Sequence, residues 1–378
     1  MVHIGINAHL LSNRPGYRTA GIHNVLHQLL VHLPEVASAD WHFTAMVGRG
    51  NPAVYEGVDM QQASLDTTPA SKRILWEQAI QPFALDSFDL YHAGAFVAPV
   101  LLNKPMVVTV YDLTFMRYPQ RLTTGRRLYL RTFTEMTCKR ARRILAISES
   151  TKHDLVELLG IPAEKVDVTP LGYDDIYQPL PEDAVTRFRA ENNLPERFWL
   201  YLGTLEPRKN LVTLIEAYAQ LPANERLPLV LAGGKGWMSE PIFEAIARHG
   251  LEDTIALPGF IPTEALPLWY NSAECFIFPS VFEGFGLPVL EAMACGTPII
   301  TSNVSSLPEV AGEAGMTLPP HELDAWVSGL RQAFHDESWR NEAREAGLVQ
   351  AKKFNWDTTA RLTVASYERA LEVSLPLP

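Results

Sequence analysis

Residues 276–300 constrain the fold of this chain more than any other stretch, because they contain the parts of one βαβ unit in order. Cys275–Phe278 is a short apolar run, which is typical of a buried strand in a parallel sheet. The Gly and Pro residues within 279–287 predict a loop. A helix is predicted to begin at Pro288, because proline is favoured at the first helical position, and to end at Gly296. A second strand should follow.

Two carboxylates fall within this unit. Glu283 lies in the predicted loop, and Glu291 lies in the first turn of the predicted helix. Backbone amides at a helix start have no intrahelical partners and attract phosphate. Two carboxylates beside such a site suit a ligand with phosphate in its middle and hydroxyl groups at both ends, such as a nucleotide sugar. The alternative is a solvated Glu283 and a Glu291 that merely interacts favourably with the helix dipole.

The length and the cysteine pattern limit the number of domains, the location of the protein and the state of its thiols. A chain of 378 residues indicates two domains of comparable size. The sequence has no apolar segment that suggests a membrane span and no signal-type N-terminus, so the expected location is the cytoplasm. Cys138, Cys275 and Cys295 are far apart and form no C-x-x-C pattern, which indicates reduced, buried thiols.

The charge is unevenly distributed along the chain. The net charge of −11 argues against general nucleic acid binding. Residues 1–178 contain 17 basic and 17 acidic side chains, so the whole acidic excess lies in residues 179–378. Basic residues are concentrated in one region of the first half, residues 121–143. This region can be either a docking surface for anionic lipid at the inner face of a membrane or a solvated helix face. Its basic residues, among which Glu135 is the only acid, are Arg121, Arg126, Arg127, Arg131, Lys139, Arg140, Arg142 and Arg143.

The first half alternates strand-like and helical segments, the pattern of a parallel sheet wrapped by helices. An amphipathic helix is expected over 22–33, and Gly16 and Gly21 before it allow close backbone approach to an anion or serve as linkers. The predicted strands are Val2–Asn7, Trp41–Val47, 88–92, Met106–Val110, 144–148 and 166–169.

Polar residues cluster where these strands end, which is where open α/β sheets bind ligands. His92 ends one predicted strand, Tyr111 and Asp112 follow another, and residues 148–150 close a third. Each of them can instead be an ordinary cap or turn residue, and residues 148–150 read most simply as a helix start.

A second alternating series follows a break in periodicity near residue 178, where we place the domain boundary. A final amphipathic helix is expected over 356–375. The predicted strands of this half are Trp199–Leu202, Leu229–Ala232, 255–257, Cys275–Phe278, 298–301 and Met316–Leu318.

The first strand of this half runs into residues 203–210, Gly-Thr-Leu-Glu-Pro-Arg-Lys-Asn. Arg208 and Lys209 therefore stand beside a predicted helix start, where the helix dipole disfavours cations and a diphosphate favours them. An ion pair between Arg208 and Glu206 is the structural alternative for that arginine. Glycines at the following strand ends, Gly233, Gly234 and Gly259, leave room for a flat base, and Phe260 follows the last of them as a further candidate donor contact.

Over nearly its full length the chain resembles the family 4 retaining glycosyltransferases, which have the GT-B fold. Residues 283–291, Glu-Gly-Phe-Gly-Leu-Pro-Val-Leu-Glu, are similar to the E-x7-E signature of that family. Residues 203–210 resemble its phosphate-binding loop, and the segment before Ile22 resembles its N-terminal glycine loop. The implied fold is α/β with two Rossmann-like domains facing across a cleft. The expected division is an acceptor domain over 1–178 and a donor domain over 179–359, with a helix of about 360–378 packing back on the first.

The resemblance also implies roles for individual residues. Lys209, with Arg208, holds the donor diphosphate; Glu291 binds the ribose hydroxyls; and Glu283 binds hydroxyls of the transferred sugar. Other phosphate contacts are expected from Gly21, Gly203, Phe285, Gly286 and Leu287.

Two residues depart from the family pattern. Thr204 stands where many relatives have arginine, so Arg208 is expected to compensate for the missing cation. Tyr111, before Asp112, stands where many have histidine, and its hydroxyl is expected to replace the usual contact near the sugar.

The resulting prediction is a retaining hexosyltransferase. It should use a UDP- or GDP-linked sugar and a glycan or lipid-linked acceptor in cell-surface polysaccharide or glycolipid synthesis. No metal or other cofactor is expected, because the chain has no D-x-D spacing and Lys209 with the helix ends can stabilise the leaving phosphate. The alternatives are an epimerase or phosphorylase of the same architecture and a catalytically silent nucleotide-sugar binding protein.

Overall fold

A computed structural model describes residues 2–11, 21–119 and 123–372. Contacts divide the chain into two compact units. The first unit contains the residues up to Gly172 together with those from Asn355 onward, and the second unit contains Tyr173–Phe354. Each unit is built on its own parallel sheet with helices, a Rossmann-like arrangement.

The first sheet has seven strands in the order β3-β2-β1-β4-β5-β6-β7. Its direction of growth reverses between β1 and β4, which is the position where such sheets bind ligands. The strands are β1 Val2–Asn7, β2 Trp41–Val47, β3 Val58–Gln62, β4 Leu90–Ala93, β5 Met106–Val110, β6 Arg143–Ala146 and β7 Val166–Val168. The helices before the boundary are α1 Ile22–Val36, α2 Ala70–Ala79, α3 Thr114–Arg117, α4 Thr124–Arg140 and α5 Glu149–Leu159.

The second sheet has six strands in the order β10-β9-β8-β11-β12-β13, with the same kind of reversal between β8 and β11. The strands are β8 Trp199–Leu202, β9 Leu229–Ala232, β10 Ile255–Gly259, β11 Cys275–Phe278, β12 Ile299–Ser302 and β13 Met316–Leu318. The helices are α6 Glu182–Glu191, α7 Leu211–Gln220, α8 Glu240–Arg248, α9 Leu266–Ser272, α10 Leu287–Ala294, α11 Leu307–Ala311, α12 Leu323–His335 and α13 Glu337–Ala351. The C-terminal helix, α14, is Trp356–Glu372.

The predicted strands are all present, with ends that shift by up to two residues, and one strand was missed. β3 reads Val-Asp-Met-Gln-Gln, and only its first residue, Val58, is buried. It lies at the edge of the sheet, where one side faces solvent, so its sequence lacks the apolar run of a central parallel strand. The three cysteines are buried and unpaired, as expected.

The boundary between the units lies six residues before the predicted position, at Gly172 instead of residue 178. The reason is that the residues after Gly172 already pack on the second unit. The ring of Tyr177 contacts that of Tyr270 with centroids 6.0 Å apart, and Asn271 Nδ2 donates to the Gln178 carbonyl at 3.0 Å. These contacts override the loss of periodicity on which the prediction depended.

Helix α14 belongs to the first unit and begins at Trp356, as the amphipathic pattern predicted, and not near residue 360 as the family-based division had it. Thr359 Oγ1 donates to the Pro170 carbonyl at 2.6 Å, and Ser366 Oγ donates to Asp167 Oδ2 at 2.6 Å. The Tyr367 hydroxyl lies 2.7 Å from Nδ1 of the fully buried His92.

His92 is therefore a structural residue and not a ligand-binding group at an exposed strand end. Its Nε2 lies 2.8 Å from Thr109 Oγ1, so both ring nitrogens have partners inside the unit. Burial lowers the pKa of His92 to about 3, which keeps the ring neutral. The polar residue sits where the sequence places it, but its side chain points into the core.

We expect Tyr367→Phe to lower the free energy of unfolding by about 1–3 kcal/mol, because it leaves a buried imidazole nitrogen without its partner. Urea denaturation of the full chain measures this change. Arg361→Ala, on the exposed face of the same helix, should change the free energy by less than about 0.5 kcal/mol. Equal effects of the two substitutions would contradict the structural role of the Tyr367–His92 contact.

Candidate functional site

The loops that follow β8 and β9 lie against each other. The Leu205 amide donates to the Gly234 carbonyl at 2.9 Å, and the Gly236 amide donates to the Leu205 carbonyl at 2.9 Å. Gly233 has φ +146°, and a Cβ there would lie 1.9 Å from the Gly203 carbonyl oxygen. Only glycine permits this approach, so the sequence dictates a tight pair of loops at the carboxyl edge of the sheet.

A cluster of four charged side chains lies beside these loops. Lys209 Nζ is 2.6 Å from Glu283 Oε1, and Arg208 Nη1 is 2.6 Å from Glu283 Oε2. Arg208 Nε also lies 3.1 Å from Glu206 Oε1. The side chains of Lys209 and Glu283 are only 10% and 12% exposed, so this is a buried ion cluster and not a solvated loop. We call these four residues the charged cluster.

The two positive and two negative charges of the charged cluster balance, and this balance determines the pKa values of Glu283 and Lys209. Burial would raise the pKa of Glu283, but Arg208 and Lys209 outweigh burial and lower it to about 2. Burial lowers the pKa of Lys209, while Glu283 raises it in return. Because each ion stabilises the charged form of its neighbour, Glu283 is ionised at neutral pH.

Several neighbouring serines hold Glu283 in place, and the sequence analysis did not identify them. Ser280 Oγ donates to Glu283 Oε1, and Ser305 Oγ accepts from the Glu283 amide at 2.9 Å. Ser306 Oγ is 2.9 Å from the Glu283 carbonyl and 2.7 Å from the Phe285 carbonyl. Ser280 lies in the same loop as Glu283, whereas Ser305 and Ser306 follow β12 and reach the glutamate only through the parallel pairing of β11 with β12.

Glu291 does not lie in the first turn of its helix as the sequence predicted. Helix α10 begins at Leu287 after Gly286, which has φ +116°, so Glu291 is the fifth helical residue. Its Oε2 accepts a hydrogen bond of 2.9 Å from the hydroxyl of buried Tyr270 on α9. Burial raises the pKa of Glu291 to about 7, although hydrogen bonds from Tyr270 and Tyr177 oppose the rise. The helix-dipole explanation therefore does not apply to this glutamate.

The start of α10 supplies amides at the same edge. In the first turn Pro288 has no N–H, and the amides of Val289 and Leu290 donate to the Gly286 carbonyl at 2.9 Å and 3.2 Å, which leaves the amide of Leu287 for a ligand. Gly286 can adopt its left-handed conformation because it has no side chain, and buried Phe285 packs against Phe354 with centroids 5.7 Å apart. These contacts fix the direction in which the amide of Leu287 points.

The remaining predicted residues of the second unit line the loop edge. Thr204 is exposed, and its carbonyl accepts from the Tyr201 hydroxyl at 3.1 Å. Gly259 has φ +83°, and Phe260 after it is 51% exposed. Phe260 thus offers an aromatic surface at the carboxyl end of β10.

The predicted residues of the first unit are arranged differently. The Tyr111 hydroxyl is buried and donates to the Gly94 carbonyl at 2.9 Å. Asp112 Oδ1 accepts from the Thr114 amide at 2.8 Å and so begins α3. Gly21 is the exposed residue before α1, with φ +66°, whereas Gly16 lies outside the described residues.

Metal-type ligands are sparse in the described residues 2–11, 21–119 and 123–372. A single group of three was found, in which His32 Nδ1 lies 3.5 Å from Glu35 Oε2 and 3.8 Å from Asp357 Oδ1. The two carboxylates are 64% and 49% exposed, and the group lies where α1 meets α14 in the first unit. It contributes nothing to the charged cluster.

Comparison with protein families gives two matches that together span most of the chain. Residues 20–176 match the model of Glycosyltransferase Family 4, and residues 184–349 match that of Glycosyl transferases group 1.

Two curated relatives come from Escherichia coli. The O-antigen chain mannosyltransferase B is 35% identical over 282 residues, which are 74% of this chain and 74% of that protein. The serotype-specific mannosyltransferase WbdA is 34% identical over 257 residues, which are 66% of this chain but only 31% of the longer relative.

Solved structures share the fold across nearly the whole chain. The sucrose-phosphate synthase of Thermosynechococcus elongatus has a TM-score of 0.77 at 23% identity and covers 97% of this chain and 98% of its own. HepE of Anabaena, solved in complex with UDP, has a TM-score of 0.71 at 17% identity and covers 97% and 99%. Together with the relatives, these findings show that the chain belongs to the GT4-type glycosyltransferases and has the GT-B fold.

Proposed function

We propose that this protein is a retaining hexosyltransferase that moves a sugar from a nucleoside diphosphate to a hydroxyl group of a glycan or lipid-linked glycan. The observation that carries the proposal is the buried contact of Glu283 with both Lys209 and Arg208, at the carboxyl edge of a Rossmann-like sheet. Relatives named for O-antigen mannosyl transfer support mannose as the sugar and a cell-surface polysaccharide as the product. A neighbour solved with UDP supports a nucleotide-linked donor.

Donor binding in this proposal is an exchange of contacts. Lys209 Nζ leaves Glu283 Oε1 for the diphosphate, and the released carboxylate oxygen accepts a hydroxyl of the sugar. Arg208 stays on Glu206 and Glu283, so it positions Glu283 and does not take the place of the arginine missing at Thr204. Each ion therefore keeps a partner throughout.

Bond cleavage leaves negative charge on the phosphate as the sugar becomes oxocarbenium-like. The Lys209 ammonium and the amides of Phe285, Gly286 and Leu287 are fixed donors that stabilise this charge without reorganisation. On this basis we propose that the reaction needs no metal ion, and transfer should persist in EDTA.

The nucleoside end of the donor is assigned to Glu291, Gly234 and Phe260. An ionised Glu291 accepts hydrogen bonds from vicinal ribose hydroxyls, and the Phe260 ring offers a surface for the base. We assign the acceptor to the first unit and a catalytic role to Asp112. Tyr111 keeps its hydroxyl on Gly94 and supports the fold around that carboxylate.

A membrane-associated location follows from one part of the basic region. Among the helices of the described residues, none is long and apolar enough to cross a membrane. Arg140 donates to the carbonyls of Val100 and Leu102, and Arg143 pairs with Asp167, so these two are structural. Arg126, Arg127 and Arg131 are exposed on α4. We propose that these three contact anionic lipid at the cytoplasmic face of the membrane.

Lys209→Ala should lower the rate of transfer by about 100-fold or more, because it removes a buried cation from the leaving phosphate. Glu283 keeps Arg208 as a partner, so the variant should remain folded. The measurement is release of nucleoside diphosphate together with the glycosylated product, which also separates transfer from epimerisation, phosphorolysis and silent binding. Arg248→Ala, an exposed cation of the same unit, is the control. Full activity of purified Lys209→Ala would refute the assignment.

Glu291→Gln should make the stability of the protein less sensitive to a rise in pH from acid to neutral, and it should weaken nucleotide binding. The pKa of Glu291 is about 7 in the folded protein and 4.5 as its ordinary value, so the folded state holds an extra proton between these values. Stability contributed by this group is thus lost as pH rises from about 4.5 to about 7.

Urea denaturation at pH 5 and pH 8 tests the effect, and the wild type should lose more stability between them than Glu291→Gln. At pH 8 the nucleoside diphosphate should raise Tm in the wild type and not in the variant. Tyr270→Phe is the matched comparison, since it removes a hydrogen bond to the carboxylate and should increase the pH dependence. An identical pH response in all three proteins would contradict the analysis.

Replacement of Arg126, Arg127 and Arg131 by serine should reduce binding to anionic vesicles by about 100-fold at low salt. Each surface charge contributes on the order of 1 kcal/mol near the headgroups. Co-sedimentation measures the change, and Arg187→Ser with Arg361→Ser removes exposed charge elsewhere as a control. A wild type that fails to bind would exclude the membrane assignment and leave the transfer assignment intact.

A further inference from the structure

A small cavity lies in the first unit, at the carboxyl ends of β1, β2 and β3. Its volume is about 30 Å³, room for a single water-sized group. Helix α2 and the short 3-10 helix Gln81–Ala84 contribute to its wall. The lining residues include His9, Met46, Gln61, Gln62, Trp76 and Gln81.

Two buried polar atoms of this lining have no hydrogen-bond partner in the described residues 2–11, 21–119 and 123–372. They are Nε2 of His9, which is 6% exposed, and Oε1 of Gln81, which is 2% exposed. The other ends of both side chains are held. His9 Nδ1 lies 3.2 Å from Thr67 Oγ1, and Gln81 Nε2 lies 3.0 Å from Met46 Sδ. Buried polar atoms are nearly always satisfied, so two at one cavity indicate a missing group.

The chemistry of the missing group follows from the two atoms. Burial lowers the pKa of His9 to about 4, assisted by the charge of Arg73, so the ring is neutral at pH 7. Its Nε2 therefore donates or accepts, depending on the tautomer, while the Gln81 carbonyl oxygen only accepts. A hydroxyl group has a single hydrogen, so it can donate to the Gln81 oxygen while it accepts a hydrogen bond from His9 in the tautomer that carries its proton on Nε2. A carboxylate cannot donate to Gln81, and an ammonium group cannot accept from His9.

We propose that this cavity receives one hydroxymethyl group of a hexopyranoside in the acceptor, an inference that rests on the proposed transfer reaction. The hydroxymethyl group extends one carbon beyond the sugar ring, so its oxygen enters a cavity of this volume while the ring stays outside. Partly exposed Trp76 at the cavity wall offers an apolar surface to the ring. Carboxyl ends of parallel strands are the usual ligand edge of such sheets.

The test measures sugar binding to the full chain without any nucleotide. Protein labelled with 15N at histidine is titrated with methyl α-D-mannopyranoside and, separately, with its 6-deoxy analogue. The mannoside should shift the Nε2 signal of His9. The 6-deoxy analogue should bind with an affinity at least about tenfold lower, because it leaves both polar atoms unpaired. The variant His9→Asn identifies the signal. Gln81→Met provides a second test that leaves every histidine in place.

Gln81→Met should abolish the discrimination between the two sugars. It should not lower Tm, because the amide loses no strong hydrogen bond, and this separates loss of recognition from loss of folding. Gln220→Met, on an exposed position of the second unit, should retain the discrimination.

Three results would overturn the proposal: equal binding of the two sugars, no response of His9, or a crystal structure with only a water molecule in the cavity and the sugar elsewhere. Failure of the transfer assignment is seen separately, as a missing effect of nucleoside diphosphate on Tm.

Discussion

The contact of Glu283 with Lys209 and Arg208 is the interaction on which the second unit depends. It ties the loop after β8 to the loop after β11, the two strands between which the sheet reverses its order. Removing these ions from water is costly, and their mutual attraction offsets that cost only while each keeps its partner. The position of Glu283 is therefore fixed by the same contacts that keep it charged. Helix α10 begins only four residues later, so these contacts also restrict where the helix starts.

The fold was largely predictable because both sheets are parallel and covered by helices. Their central strands are short apolar runs, such as Phe276 to Phe278, that read clearly from sequence. The edge strand β3 was not predictable, since a half-exposed strand has no such run. The domain boundary was misplaced because the contacts of Tyr177 and Gln178 with the second unit are tertiary and leave no local pattern.

The candidate site was predictable to the extent that it lies at strand ends. Lys209 and Glu283 were identified from the loops that carry them, and the structure brings the two together. Their partners were not, because Ser305 is adjacent to Glu283 only through the register of β11 with β12. The position of Glu291 was wrong by one residue, because the left-handed Gly286 starts the helix at Leu287 and places the carboxylate beside Tyr270.

Some polar residues near strand ends are paired inside the core and others belong to a candidate site. The sequence does not distinguish the two kinds. In the first unit His92 and Tyr111 point inward and have partners in the core, whereas His9 Nε2 and Gln81 Oε1 have no hydrogen-bond partner among the described residues. In the second unit the charged cluster is already paired. A donor that displaces Lys209 from Glu283 must therefore replace a strong interaction, whereas a hydroxyl that reaches His9 replaces none. The affinity gained per contact should therefore be lower in the second unit. Selectivity for a charged diphosphate should be higher there, because only a strong anion can compete with Glu283 for Lys209.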